Sequence, residues 1–283
     1  MDKLVYFVLV NYKGNEDTID CVNSINEKIT YNNYRILIID NSPAYEYYES
    51  LVAKKLKKCE LIKSEENKGF AAGCNIGICR ALEDNADYIV LLNNDTIVNS
   101  EDLIQQLLMC FRNPSVGVAG GKILYYKNPS EYWYAAGFLT PIRLRAKNRK
   151  RISKICKTPF ITGCLQMISK EAIYKVGLLN EEYFMCYEDA DYCERIHAAG
   201  LETFYNPDAI ISHKVSKSAP ESSPLSIYCS NRARYIFINK FHKKNLVVRG
   251  VFWLEIYIKL LVYTGEKQVA IKRVIKSIQE INN

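Results

Sequence analysis

Along the first half of the chain, short continuous apolar runs alternate with segments of helical periodicity. Residues 4–10, 34–40, 60–63 and 88–92 read as strands, and residues 15–28, 45–58 and 69–85 between them read as helices. Runs that are apolar on both faces belong to a parallel sheet buried under helices on both sides, so an α/β architecture is expected. Residues 115–140 are strand-rich, with Gly117, Gly120, Gly121 and Gly137 as breakers, and residues 159–168 predict one more strand broken by Gly163. Ser169, with Glu171 two residues on, predicts a capped short helix over 169–176. Residues 187–199 predict a helix closed by Gly200, residues 208–212 a strand, and residues 226–241 an aromatic amphipathic helix. Residues 245–283 are helical in character. The stretch 247–263 is apolar, but Arg249, Glu255 and Lys259 interrupt it, leaving runs far short of the roughly 18 residues of a membrane span. Packing on the domain and lying in a membrane interface both fit that pattern, and Glu255 and Lys259 share a helix face.

Composition narrows the class. The 283 residues are 48% hydrophobic, enough for one large domain with an appendage and incompatible with global disorder. The ten cysteines include no Cys-x-x-Cys pair, and residues 1–3 lead into a strand with no signal-peptide pattern. Reduced, mostly buried thiols in a cytosolic protein are therefore expected. The net charge of +7 is concentrated in residues 143–157, where Arg143, Arg145, Lys147, Arg149, Lys150, Arg151, Lys154 and Lys157 lie. Such a segment is either a solvated loop or a contact for phosphates on a lipid-linked acceptor or an anionic membrane. No nucleic-acid motif accompanies it, so nucleic acid is not an expected partner.

Three constellations carry candidate chemistry. Asn11, Asp40 and Asp95 each follow a predicted strand, where ligands bind in open α/β sheets. Any one of them would also suit a cap or turn; three together form a site pattern. Asp95 suits a hard divalent cation held jointly by a carboxylate and a diphosphate, and His213, at the end of a later strand, could add an imidazole or be structural. Gly69, Gly73 and Gly77 leave one helix face without side chains, which allows either close approach of an anionic ligand or tight packing on the sheet. The run is neither a dinucleotide fingerprint nor a P-loop. In residues 181–195 an aromatic run precedes an acidic cluster. Burial there raises a carboxylate pKa toward the range of a working base.

Val10-Asn11-Tyr12, Asp40-Asn41-Ser42, Asn67 through Gly73, Leu92-Asn93-Asn94-Asp95, Gly163, and Glu181 through Arg195 occur in the order seen in glycosyltransferase family 2. Asn206-Pro207-Asp208-Ala209 leading to His213, and Asn231-Arg232, extend the match to residues 4–240. The chain most resembles the family's bacterial rhamnosyltransferase-like branch. The resemblance implies a GT-A fold: a Rossmann-like, mostly parallel sheet with helices on both faces. It divides the chain into a transferase domain (1–240) and a C-terminal helical extension (241–283). The domain has a nucleotide-binding half (1–114) and an acceptor and catalytic half (115–240).

The implied reaction is inverting transfer of a sugar from dTDP-rhamnose or a UDP-sugar, with Mg²⁺ or Mn²⁺. The implied acceptor is a hydroxyl of a growing, lipid-linked bacterial surface glycan. The implied location is cytoplasmic, at the inner face of the membrane, with peripheral contact through 143–157 and 245–283. Carried onto this sequence, Asn11, Tyr12 and Asp40 hold the nucleoside. Asn67, Gly69 and Phe70, with Gly73 and Asn75 behind them, shape the donor pocket, and Asn93 and Asn94 lead to it. Asp95 and His213 hold the metal. Asp189 is the base, preceded by Glu188, with Asp191 and Arg195 supporting it. Attack on the anomeric carbon builds oxocarbenium character, so the base must face away from the leaving diphosphate, whose charge the metal neutralises.

The chain departs from the family pattern at Asn93, which replaces an acid and removes one charge from the metal site, and at Leu179-Asn180-Glu181, where many relatives carry Phe-Asp-Glu. Two other readings are a sugar nucleotidyltransferase and a catalytically silent module of a polysaccharide synthase complex. The first needs a glycine- and basic-rich loop where 11–15 offers only Lys13 and Gly14. The second would tolerate loss of the acidic cluster present here.

Overall fold

The computed structural model describes residues 2–149, 152–215 and 222–282. The first half runs β1 (Val5–Asn11), α1 (Asn15–Lys28), β2 (Tyr34–Asp40), α2 (Tyr45–Val52), β3 (Cys59–Lys63), α3 (Phe70–Glu83) and β4 (Tyr88–Leu92). Then follow β5 (Thr96–Val98), α4 (Leu103–Cys110), β6 (Val116–Tyr125), β7 (Asn128–Tyr134), β8 (Gly137–Leu139), β9 (Ala146–Asn148) and β10 (Cys156–Lys157). The chain continues through β11 (Leu165–Ser169), α5 (Lys170–Val176), α6 (Glu188–Ala198), β12 (Glu202–His213), α7 (Pro224–Phe241), α8 (Leu246–Val262) and α9 (Gly265–Asn282).

The main sheet has the order β10-β12-β6-β11-β4-β1-β2-β3, with β5 on β12 and β7 on β6. Strands β3, β2, β1 and β4 are parallel. β11 inserts antiparallel between β4 and β6, and β12 returns parallel to β6. The central strands are buried along their length, as their unbroken apolar sequence requires: Val5 to Leu9, Ile36 to Ile39 and Ile89 to Leu92 are all excluded from solvent. Each such side chain contributes about 1.5–3 kcal/mol of burial. Right-handed crossovers put α1 and α2 on one face and α3 on the other. α4 joins the first face, and α5 and α6 the second.

Several boundaries differ from the sequence expectation for identifiable reasons. α2 stops at Val52, not 58, because Lys54, Lys55, Lys57 and Lys58 crowd like charges into little more than a turn; Lys55 and Lys58 take left-handed φ of 48° and 53°. The strand expected over 159–168 starts only at Leu165, because the Gly163 N–H is committed to the Asp189 side chain instead of a ladder. β5 and α4 were not expected. β5 is too short to show a period, and α4 buries only Leu103, Ile104, Leu107 and Cys110. The strand expected over 208–212 is the end of the twelve-residue β12.

The glycine face of α3 resolves toward packing. A Cβ at Gly73 would lie 3.0 Å from both Val10 methyls, and one at Gly77 would lie 2.4 Å from Val8 Cγ1. Val8 is stiff, buried and central in the sheet. Gly77→Ala is therefore expected to lower stability by about 1 kcal/mol or more, despite gaining about 1 kcal/mol of helix propensity. A urea midpoint equal to or above wild type would show that Val8 yields.

Candidate active site

The parallel register sets Asn11 directly beside Asp40 at the carboxyl ends of β1 and β2. The Asn11 amide nitrogen donates to Asp40 Oδ1 (2.8 Å) and Asn15 Oδ1 (2.9 Å). Its oxygen accepts from Thr18 Oγ1 (2.9 Å) and the Gly14 N–H (3.2 Å). Asn94 joins the same hub, donating to Thr18 Oγ1 at 2.8 Å and reaching Asn11 Oδ1 at 3.4 Å. Asn11 is thus saturated by protein and acts as a rigid brace. Asp40 is fully buried. Ser42 Oγ donates to its Oδ1 at 2.6 Å, while its Oδ2 makes no hydrogen bond among the described residues, with Lys63 Nζ 3.2 Å away. Tyr12 stands exposed at the rim. Lys63 was not singled out from sequence; its position at the end of β3, level with Asp40, was the available signal.

Asp95 and His213 come together through strand pairing. β5 runs antiparallel to β12 with His213 opposite Thr96, and His213 Nε2 lies 3.0 Å from Asp95 Oδ1. Trp133 from β7 meets the imidazole edge to face, with centroids 4.5 Å apart. Burial works against a charged ring here, but Cys164 and the Asp95 carboxylate outweigh it and raise the His213 pKa to about 10. His213 Nδ1 is buried and makes no hydrogen bond among the described residues. Cys164 lies beside the ring, but no group of three His, Cys, Asp or Glu side chains placed to hold a metal ion is found among the described residues. Asn93 serves locally through its backbone, its carbonyl accepting from Thr96 Oγ1 at 2.7 Å.

The acidic segment is clamped from three sides. Gly69 has φ of 100°, and a Cβ there would sit 2.2 Å from the Phe184 carbonyl oxygen, so only glycine permits this approach. The next N–H, of Phe70, donates to that oxygen at 2.8 Å. Asn67 caps the turn by accepting from the Gly69 N–H at 3.0 Å. Asn75 spends its whole amide on the segment: it donates to Leu179 O (3.0 Å) and Glu181 Oε1 (2.8 Å), and accepts from the Leu179 N–H (3.0 Å). Gly73 and Asn75 thus act by packing and bracing. From the other side, Arg232 of α7 donates to Glu182 O at 2.7 Å. Asp191, fully buried, receives Arg195 Nε (2.7 Å), Lys240 Nζ (2.6 Å) and Tyr183 Oη (3.2 Å). Arg195 also donates to the carbonyls of Val176 and Leu178.

The clamp forces Cys186 and Tyr187 into left-handed φ of 72° and 67° immediately before α6. Two such non-glycine residues cost about 1–2 kcal/mol each. The result is two adjacent carboxyls in different surroundings. Asp189 Oδ2 accepts from the Gly163 N–H at 3.0 Å and Oδ1 from the Ala190 N–H at 2.8 Å. Burial raises its pKa, opposed by these donors and by the Thr162 hydroxyl. Glu188 is buried, with Oε2 lacking any hydrogen bond among the described residues; burial, then Asp189, push its pKa up to about 8. The pair therefore carries its negative charge on Asp189 while Glu188 keeps its proton.

Linkage follows from the sign of that shift. Folded Glu188 holds a proton that an unfolded glutamate, with pKa near 4.5, releases. Its stabilising contribution is full below that value and is lost as pH rises toward 8, by at most about 1.4 kcal/mol per pH unit. Glu188→Gln should flatten the fall in stability between pH 5 and 8, read by urea unfolding. Equal slopes in mutant and wild type would show that Glu188 ionises freely in the fold.

Residues 6–177 match the family Glycosyl transferase family 2. The chain is 25% identical to the dTDP-rhamnosyl transferase RfbF of Shigella flexneri, over 95% of this chain and 92% of that one. In fold it resembles the crystal structure of GalNAc-T7 with UDP, GalNAc and Mn²⁺ (TM-score 0.67, 16% identity). That match covers 84% of this chain and 48% of that one, about half its length. It also resembles the mannosyltransferase PcManGT from Pyrobaculum calidifontis in complex with GDP-Man and Mn²⁺ (TM-score 0.60, 13% identity), over 99% and 76%. The mixed sheet with helices on both faces is that of the GT-A fold. The chain belongs to glycosyltransferase family 2 and resembles its rhamnosyltransferase-like members.

Proposed function

We propose that this chain is an inverting glycosyltransferase that moves a sugar from dTDP-rhamnose, or failing that a UDP-sugar, to a hydroxyl of a lipid-linked bacterial surface glycan. One observation carries the reading. The Gly163 N–H holds Asp189, and the next residue, Cys164, lies beside His213, so a two-residue turn joins the proposed base to the Asp95–His213 pair.

In this reading residues 1–114 take the donor and 115–240 the acceptor. Asp40 stands at the nucleoside end, its Oδ1 braced by Asn11, which Asn94 reaches in turn, and its Oδ2 beside Lys63, with Tyr12 at the rim. Asn67, Gly69 and Phe70 set the wall next to Phe184, and the Phe70 ring and the Asp189 side chain both lie against Gly163. Asp95 Oδ1 and His213 Nε2, 3.0 Å apart, would hold Mn²⁺ or Mg²⁺ once the ring gives up its proton, with diphosphate oxygens as the remaining ligands. Such an ion, when bound by Asp95 and His213, supplies Lewis-acid stabilisation of the leaving diphosphate. Asp189, held ionised beside a protonated Glu188, takes the proton from the acceptor hydroxyl as it attacks the anomeric carbon.

No helix among the described residues is long and apolar enough to cross a membrane. Membrane contact is instead proposed for the exposed apolar face of α8 (Leu254, Tyr257, Ile258 and Leu261) with the basic segment 143–157, of which Lys150 and Arg151 lie outside the described residues.

Asp189→Asn is expected to reduce transfer by about 10²–10⁴-fold while leaving nucleotide affinity unchanged. Near-wild-type turnover would remove Asp189 from the base role. Asp95→Ala should abolish the metal-dependent part of the thermal shift given by dTDP or UDP. A shift that is the same in mutant and wild type, with and without Mn²⁺, would rule out Asp95 as the metal residue.

A further inference from the structure

Outside the donor site, a cationic cluster is formed where the loop after β8 meets α7 and α8. Glu255 of α8 receives three guanidinium groups. Arg143 Nε lies 2.9 Å from Oε1, while Arg145 Nη2 (2.9 Å) and Arg234 Nη1 (2.6 Å) both reach Oε2. Lys259, one turn along α8, donates to Asn231 Oδ1 at 2.7 Å and feels Arg145 and Arg234 strongly enough that they, after burial, help bring its pKa down to about 8. One carboxylate thus faces four cationic side chains.

Arg234 is the unusual member. It is only 4% exposed, yet its Nε and Nη2 make no hydrogen bond among the described residues, although the guanidinium lies over the Phe252 ring at 5.1 Å. Unused donors on a buried charge are costly, and the shared carboxylate satisfies only one arm of the fork. A guanidinium fork matches phosphate oxygens as well as carboxylate, and three forks around one carboxylate leave positive charge and donors that a phosphate could take.

Position decides which phosphate. The Asp95–His213 pair lies at the sheet's strand ends, on different elements. The arginine cluster instead adjoins Tyr187, whose hydroxyl donates to Leu144 O at 2.9 Å in the loop between Arg143 and Arg145. Tyr187 immediately precedes the acid pair, so one hydrogen bond ties the cluster's loop to the turn that carries Asp189. α8 continues outward from the cluster with Leu254, Tyr257, Ile258 and Leu261 exposed, a surface for hydrocarbon.

We propose that Arg143, Arg145 and Arg234, gathered around Glu255 with Lys259 beside them, form the subsite for the phosphate groups of the acceptor, a sugar carried on a lipid diphosphate. Glu255 occupies the arginine forks in the absence of acceptor and shares them when phosphate arrives. The assignment rests on the transferase reading for the word acceptor, but the phosphate site itself can be tested separately.

Binding of farnesyl diphosphate and of inorganic pyrophosphate is measured by isothermal titration, with dTDP and UDP binding measured alongside. The proteins are wild type, Asp95→Ala, Arg143→Gln, Arg145→Gln and, as a charge-matched control at a position after α4, Arg112→Gln. The expected result is farnesyl diphosphate binding that is equal in wild type, Asp95→Ala and Arg112→Gln. It should be at least tenfold weaker in Arg143→Gln and Arg145→Gln, both exposed positions whose replacement leaves the core intact. Tighter binding of farnesyl diphosphate than of pyrophosphate supports the lipid source, and equal binding assigns the same site to a soluble phosphate ester. Affinity unmoved by either arginine change, or lost in Asp95→Ala, overturns the site while leaving the transferase reading standing. Arginine-dependent farnesyl diphosphate binding with no nucleotide binding would do the reverse.

Discussion

The site depends on one close approach: the Phe184 carbonyl packs where a side chain on Gly69 would otherwise stand. That contact joins two segments 115 positions apart, the start of α3 and the loop before α6, and the Phe70 N–H seals it. Everything proposed for catalysis is downstream of it. The loop is then held by Asn75 from the same helix, by Arg232 from α7 and by the buried Asp191 with Arg195 and Lys240. The start of α3, the loop before α6 and α7 therefore meet through backbone hydrogen bonds and ion pairs, not through a flexible hinge.

The same clamp accounts for the chemistry of the acid pair. Left-handed backbone at Cys186 and Tyr187 is stored strain, tolerated because the surrounding contacts over-determine it. It turns α6 so that consecutive carboxyls point into unlike environments, one with backbone donors on both oxygens and one with an oxygen that has no partner among the described residues. Separation of their protonation states needs no further residue. The arginine cluster extends this logic outward: Tyr187 ties the strained turn to the loop that carries Arg143 and Arg145, so the proposed acceptor subsite and the proposed base share a support.

The parallel half of the sheet was plain in the sequence because continuous apolar runs ending in Asn11 and Asp40 suit a strand buried on both faces and little else, and β2 matches its expected limits residue for residue. Local patterns failed where the deciding contact was remote. The glycine face of α3 could serve a ligand or a sheet, and only the positions of Val8, Val10 and Phe184 decide between them. Asn75 read as a pocket residue because nothing nearby in sequence shows that Leu179 and Glu181 consume its amide. The pairing of Arg234 with Glu255 was equally hidden. Each looks like an ordinary helix charge, and the residues that bring them together, Arg143 and Arg145, lie about a hundred positions upstream of Glu255.

The Asp95–His213 pair has its separation set by the β5–β12 ladder, a few hydrogen bonds from the atoms themselves. The excursion from β7 to β10 hangs between fixed strands, and its small β8–β9 ribbon forms a sheet of its own. Insertions, deletions and charge changes in that excursion can thus accumulate without altering the spacing at the strand ends. On the proposed assignment, a chain built this way can change which acceptors it serves over evolutionary time while the strand-end pair stays in place, because the two are carried by parts of the backbone that do not share a register.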